Sequence, residues 1–210
     1  MGRLRVSVVI PAYNEARSLD EIIANCKALC DEVIVVDDGS TDNTSAVSRK
    51  NGAKVIQFKK NRGLVKATQR GLEAANGNII ITMDGDGQHA PSDIPKLIKP
   101  LTEGRAEVAL GVRDEIPYRS ERMINALTNL RVECSDSGTG FRAIKADVAK
   151  RMKLHGTCLC GTFVLEAHKC GARIAEIPVQ MRPRTYGKRK IRTRHVRQIF
   201  YVLKDLVFGH

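Results

Sequence analysis

Five short apolar runs, each followed by a polar turn, constrain this chain most. They are Arg5–Pro11, Glu32–Asp37, Lys54–Phe58, Asn78–Met83 and Ala106–Gly111. Their length and β-branched content are those of buried parallel strands. Between them lie helical patterns. Asn14 to Leu29 carries Leu19, Ile22, Ile23, Cys26 and Leu29 on one stripe. A second helix runs to about Lys50. A third covers Gly63–Ala75 and ends at Asn76-Gly77, with Gly placed for a C-cap. A fourth starts at Ser92 as cap and reaches Leu101. Strands alternating with helices at this pitch predict βαβ units, a mostly parallel sheet with helices on both faces. The 210 residues allow one well-cored domain and at most an appendage. After Arg113 the alternation stops. Asp114–Ser137 is polar with a weak helical piece at Met123–Leu130. Gly138–Arg142 reads as a Gly-rich turn, Lys145–Met152 and Thr162–Cys170 as helices, and Arg173–Met181 as extended.

Carboxylates collect at three strand ends: Glu15 after the first, Asp37 and Asp38 after the second, Asp84 and Asp86 after the fourth. The carboxyl edge of an open α/β sheet is where ligands bind. Two acids as close as Asp84 and Asp86 repel, which raises one pKa unless a cation sits between them. Mg²⁺ or Mn²⁺ answers that, being held by one or two carboxylates plus substrate phosphates. Gly85 and Gly87 let the loop turn, and Gln88 or His89 completes the shell. Gly85-x-Gly87-x-x-Ala90 and Gly138-x-Gly140-x-x-Ala143 mimic a dinucleotide fingerprint but lack its context. The first has Asp86 inside the phosphate loop; the second follows no buried strand. No GxxxxGK[ST] loop occurs, which argues against a P-loop NTPase.

The formal net charge of +12 points to an anionic partner. With 4% aromatics and no Trp, stacking platforms for single-stranded nucleic acid are lacking. Clustered carboxylates would also repel a phosphate backbone, so nucleic acid is not the expected partner. Much of the charge lies in a basic tail, Arg182, Arg184, Lys188, Arg189, Lys190, Arg192, Arg194 and Arg197. A final helix, Arg192–Val207, places Val196, Ile199, Phe200, Leu203, Leu206 and Val207 on one face, with Arg194, Arg197 and Lys204 opposite. Two readings stand: a helix in a membrane interface, or one docked on the sheet. No apolar run reaches the ~18–20 residues of a membrane span, so membrane contact is expected to be peripheral. The chain runs straight into its first strand, with no secretory signal, so free thiols in a reducing cytosol are expected for the six cysteines. Cys26-x₃-Cys30 and Cys158-x-Cys160 lack the paired spacing of structural zinc sites.

In order, Val8-Val-Ile-Pro-Ala-Tyr-Asn-Glu15, Val35-Val-Asp-Asp-Gly-Ser-Thr-Asp42, Asn61-x-Gly63, Asp84-x-Asp86-x-Gln88-His-x-Pro91 and Gly140-Phe-Arg142 resemble the motif series of glycosyltransferase family 2. Ile177-Pro-Val-x₄-Arg184-x-Tyr-Gly-x-x-Lys190 is similar to the tail of its polyprenyl-phosphate members, the dolichol-phosphate mannose synthase group. The resemblance implies a GT-A fold over 1–190, with 191–210 as a basic amphipathic helix. It implies that Pro11, Tyr13, Glu15, Val36, Asp38, Asp84 and Gly85 bind the nucleotide sugar. Asp84, Asp86 and Gln88 would hold the metal. Asp86, Arg113, Arg142, Arg184 and Lys190 would be catalytic, the basic ones facing phosphates. The chain departs from the group at Gly85, where Ala is common, at Arg189, where Ser is usual, and in the shortness of Arg113–Ser135.

The implied reaction is an inverting transfer of a sugar, mannose or glucose first, from a nucleoside diphosphate to dolichyl or polyprenyl phosphate on the cytoplasmic membrane face. A phosphate nucleophile, with a second pKa of about 6, needs no strong base. His89 then supports the metal loop, and His155, His168 and His195 are structural or superficial. A family 2 enzyme acting on a glycan hydroxyl would need a base, with Glu166 or Asp136 as candidates. Glu166 is otherwise a partner for a site arginine or an ordinary helix-face acid.

Overall fold

The computed structural model describes residues 3–183 and 194–208. In chain order these hold β1 (Val6–Ala12), α1 (Ala16–Lys27), β2 (Glu32–Asp37), α2 (Thr44–Lys50), β3 (Lys54–Gln57), α3 (Leu64–Ala74), β4 (Ile79–Thr82), α4 (Ile94–Thr102), β5 (Val108–Val112), α5 (Arg119–Thr128), β6 (Arg142–Lys145), α6 (Ala146–Arg151), α7 (Thr162–Lys169), β7 (Ile174–Pro178) and α8 (Arg194–Phe208). The strands form one sheet in the order β3-β2-β1-β4-β6-β5-β7. All pairings are parallel except those of β6, which runs antiparallel to β4 and β5.

Period-two alternation splits the apolar runs between two cores. Val8, Ile10, Ile79 and Ile81 point to the face covered by α1 and α4, with Leu19, Ile23, Leu97 and Phe141. Val9, Ile34, Val36, Ile80 and Ile144 point to the other, with Leu72, Val148 and Phe163. The sheet is therefore buried on both sides, as its near-continuous Val/Ile strands require.

Three local expectations are corrected. Arg142–Lys145 is a strand, not the end of a turn and the start of a helix. Ser92 does not cap α4: it lies in the short 3₁₀ turn Pro91–Asp93, and Asp93 is the N-cap, without a side-chain capping bond. Gly77 is not a C-cap, since α3 ends at Ala74 and Ala75 is extended. Its small size serves close packing instead, as a Cβ there would sit 2.7 Å from the Ser7 backbone nitrogen.

The C-terminal helix packs on α5 and α7. Its inward stripe is His195, Gln198 and Val202, with Ile199 and Leu206 half-buried at the flanks. Asp205 accepts from His155 Nε2 at 2.9 Å. Val196, Phe200, Leu203 and Val207 face outward. The apolar face drawn from the sequence thus splits: Ile199 and Leu206 join the protein, the other four do not. No helix among the described residues is long and apolar enough to cross a membrane.

Candidate active site

The order β2-β1-β4 sets the three acid-bearing strand ends side by side. Asp37 and Asp38, both buried, first serve the protein itself. Asp37 accepts from Ser40 N at 2.8 Å and from the Ser45 hydroxyl. Asp38 accepts from Arg62 N at 2.6 Å and Gly63 N at 2.8 Å, pinning the loop before α3 beside the site. A carboxylate has about four lone-pair positions, so Asp38 keeps capacity for a base N–H. Asn14, not among the site residues expected from the sequence, knits the neighbouring loops. Its φ is +59°, a left-handed value that Asn tolerates better than most residues. Its side-chain oxygen accepts from Thr41 N at 2.8 Å, and its own N–H donates to Ser40 Oγ at 2.9 Å. Tyr13 and Glu15 flank it, both half-buried, and Glu15 is the N-cap residue of α1. Val36 is wholly buried and paired within the sheet to both β1 and β3, so it presents no surface to a ligand.

A cavity of about 210 Å³ opens next to these strand ends, and Pro11, Asp84, Asp86, Gln88, Arg113 and Arg142 all line it. The Asp84 side chain is 41% exposed, whereas Asp86 is buried and accepts from Gln88 N at 3.0 Å. Within this loop only Gly87 has a positive φ, +81°. Gly85 is not needed for the turn: a methyl there would meet Ile10, Leu19 and Ala12 at ordinary contact distances, 3.4 to 3.6 Å. The Gln88 amide nitrogen donates to the Arg182 carbonyl at 3.5 Å. His89 is buried and stacked on Phe141, with ring centroids 5.0 Å apart. Burial pushes its pKa below the ordinary value, so the ring is neutral. Its Nδ1 accepts from Asp84 N at 3.1 Å, leaving the proton on Nε2, 4.0 Å from Asp84 Oδ2. Gly140 closes over the same carboxylate: a Cβ there would lie 2.5 Å from Asp84 Oδ2.

Arg113 and Arg142, the two expected site arginines among the described residues, differ. Arg113 is already answered by carboxylates. Its Nε and Nη2 donate to Asp136 at 2.7 and 2.8 Å, and Nη2 also donates to Glu121 Oε2 at 3.1 Å. Burial opposes its charge, but Asp136 and Glu121 outweigh that and hold it above its ordinary range. Asp136 is likewise pushed up by burial, yet the Arg113 hydrogen bonds and charge bring it below the usual carboxylate range. Arg142 has no such partner. It is 1% exposed, stacks over Phe163 at 4.1 Å, and its Nε has no hydrogen-bond partner among the described residues. Burial lowers its pKa to about 10, which leaves it charged at neutral pH. Arg184 and Lys190 lie outside the described residues. Glu166 is not near the site arginines; it accepts from Lys153 N at 2.9 Å and lines a separate surface cleft.

Asp84 and Asp86, two residues apart on the loop after β4, bring hard oxygen donors to one cavity, and that donor set fits a divalent cation.

The glycosyl transferase family 2 model matches residues 7–165, from β1 into α7. The chain belongs to glycosyl transferase family 2. Among curated relatives, an undecaprenyl-phosphate 4-deoxy-4-formamido-L-arabinose transferase of Edwardsiella ictaluri is 34% identical over 88% of this chain and 62% of its own length. A dolichol-phosphate mannosyltransferase of Pyrococcus furiosus is 29% identical over 96% of this chain and 64% of its own. The chain thus spans a little under two thirds of these two transferases. Among solved structures, glucosyl-3-phosphoglycerate synthase of Mycobacterium tuberculosis, in complex with Mn²⁺, UDP-glucose and phosphoglyceric acid, superposes with a TM-score of 0.82. It is 24% identical and matches over 97% of this chain and 79% of that one. This family 2 glycosyltransferase has the GT-A fold, as the motif series implied.

Proposed function

We propose that this family 2 enzyme transfers a sugar from a nucleoside diphosphate to a polyprenyl phosphate, with a divalent cation on Asp84 and Asp86. The observation that carries the reading is the meeting of the Asp84 and Asp86 carboxylates with the buried guanidinium of Arg142 in one cavity. The first suits a metal-bound diphosphate; the second suits a phosphate oxygen. The names of the curated relatives support a polyprenyl-phosphate acceptor, and the Mn²⁺ and UDP-glucose held by the structural relative support the donor and metal.

When bound, the cation supplies Lewis-acid charge to the departing diphosphate. The chain's own groups do the rest. Neutral His89, through the Asp84 N–H, fixes the loop on which both acids stand. Gly140 leaves Asp84 the space it occupies. Arg142, in the cavity wall, offers its positive charge to an anionic oxygen from a site where few competing dipoles remain, so its interaction is strong. Arg113, neutralised by Asp136 and Glu121, acts as a positioning residue for the wall around Arg142 rather than as a free phosphate ligand. A hydroxyl acceptor would need a base, and neither candidate is placed for it. Asp136 is committed to Arg113, and Glu166 is remote. The outward stripe Val196, Phe200, Leu203 and Val207 gives a peripheral membrane contact, so a lipid acceptor's head need not leave the interface.

The test is a matrix of UDP- and GDP-sugars with Mn²⁺ and a short polyprenyl phosphate, scored for lipid-linked sugar. The expected product forms with one nucleotide, fails in EDTA and fails in D84N. Full turnover in EDTA, or transfer only to glycan hydroxyls, refutes the reading.

A further inference from the structure

Cys158 and Cys160 stand on the loop between α6 and α7, and His195 stands on α8. The sequence separates them by 35 residues or more and offers no zinc spacing. The fold brings the two sulfurs and a ring nitrogen within 4.8 Å of one another. Cys158 and His195 are buried, and all three side chains line the catalytic cavity.

The surroundings prepare these atoms for a ligand. Ser120 Oγ lies 2.7 Å from His195 Nδ1. With Nδ1–H donating to Ser120, Nε2 keeps its lone pair for a ligand; an outer hydrogen bond of this kind is what metal-ligating histidines use to fix tautomer and orientation. Buried Gln198, one helical turn on, holds the cysteine loop in place. Its Oε1 accepts from Thr157 N at 2.9 Å and Cys158 N at 3.1 Å, and its Nε2 donates to the Cys160 carbonyl at 2.8 Å. The loop geometry is therefore set before any ion arrives.

We propose that Cys158, Cys160 and His195 bind a thiophilic d¹⁰ cation of the zinc type, which fastens α8 to the wall of the catalytic cavity. Two thiolates and one imidazole are a recognised three-ligand set for tetrahedral zinc, and such sets keep a fourth position open. Here the cavity that all three side chains line would supply the fourth ligand. This site shares no ligand with Asp84 and Asp86, whose oxygens suit a hard cation, and it stands whether or not the transfer reaction is as proposed.

The test uses the full chain, stripped with a chelator, kept reduced with a phosphine and titrated with Co²⁺. One equivalent should give a sulfur-to-cobalt charge-transfer band with tetrahedral d–d bands, and Zn²⁺ should bleach both. C158S and C160S should each abolish the charge-transfer intensity or cut it by about half. S120A should weaken cobalt affinity about 10–100-fold with the band shape kept, a change that a merely structural serine would not produce. D84N should leave the band intact. Zinc should also raise the melting temperature of the wild type and not of H195Q. Absence of the band in the reduced wild type overturns the proposal, as does a band that survives the double change C158S/C160S. So does a Cys158–Cys160 disulfide in the purified protein whose reduced form takes no metal.

Discussion

Replacing Arg113 by Met tests how the cavity wall is held. The Arg113 side chain is 6% exposed, and its partners Asp136 and Glu121 are 1% and 4% exposed. Removing the cation leaves two buried carboxylates facing each other. Losing one partner of a buried pair costs about 3–5 kcal/mol, and that is the range expected for R113M. For a domain of this size that is roughly 6–20 °C in melting temperature. Urea denaturation followed by circular dichroism measures it, with an unchanged slope as the sign that two-state unfolding holds. The pH dependence supplies a second arm. In the wild type Asp136 is held below its ordinary range. Its contribution is therefore present above the unfolded-state value, about 3.9, and fades as pH falls through the lower folded value. In R113M the same carboxyl is buried without a cation, so its folded pKa rises above the unfolded one. The penalty is then full at neutral pH and is relieved as the group takes up a proton. The stability gap between the two proteins should shrink from pH 7 to pH 5. R113K should recover only part of the loss, because an ammonium cannot reproduce the two-pronged contact with Asp136. A loss under about 1 kcal/mol for R113M, the range of exposed pairs, or a gap that widens on acidification, refutes the reasoning.

R142M should abolish transfer yet leave stability unchanged or raise it by about 1–3 kcal/mol, since it removes a buried donor that the fold does not satisfy; destabilisation beyond that range by chemical denaturation counts against a ligand-facing role. G140A should keep the fold but displace the Asp84 carboxylate, weakening Mn²⁺-dependent nucleotide binding at least about tenfold, or 1.4 kcal/mol, by calorimetry; unchanged affinity would separate Asp84 from the metal. D84N should make nucleotide binding insensitive to Mn²⁺, and equal enhancement by the metal in variant and wild type contradicts the assignment. F200E combined with V207E should leave transfer to a detergent-dispersed acceptor intact and abolish flotation with anionic vesicles; undiminished flotation removes α8 from the membrane contact.

The donor half of the site was legible because it is written in contiguous signals. Apolar runs give β1, β2 and β4, and an acid follows each, so topology alone aligns Glu15, Asp38 and Asp84. The acceptor half was less so. β6 has only Ala143 and Ile144 between charged ends, too short a run to read as a strand, and its neighbours β4 and β5 supply the pairing that makes it one. Arg113, Glu121 and Asp136 sit on three separate segments, and no spacing rule links them; only the packing shows that Arg113 is spoken for. The α8 stripe was misread because Gln198 and Val202, both fully buried, belong to a face that a charge-based helical wheel does not pick out. His195 carried no signal beyond being one histidine among five.

The antiparallel entry of β6 has a further consequence. Leu110 and Arg142 are register partners, so the excursion from residue 113 to residue 141 leaves and rejoins the sheet at adjacent points. Lengthening a loop whose ends already meet adds little closure entropy, about 0.6 kcal/mol per doubling. The excursion is thus a module that mutation can trim or enlarge to suit a new acceptor, while Arg142, anchored in the ladder, keeps its station opposite Asp84.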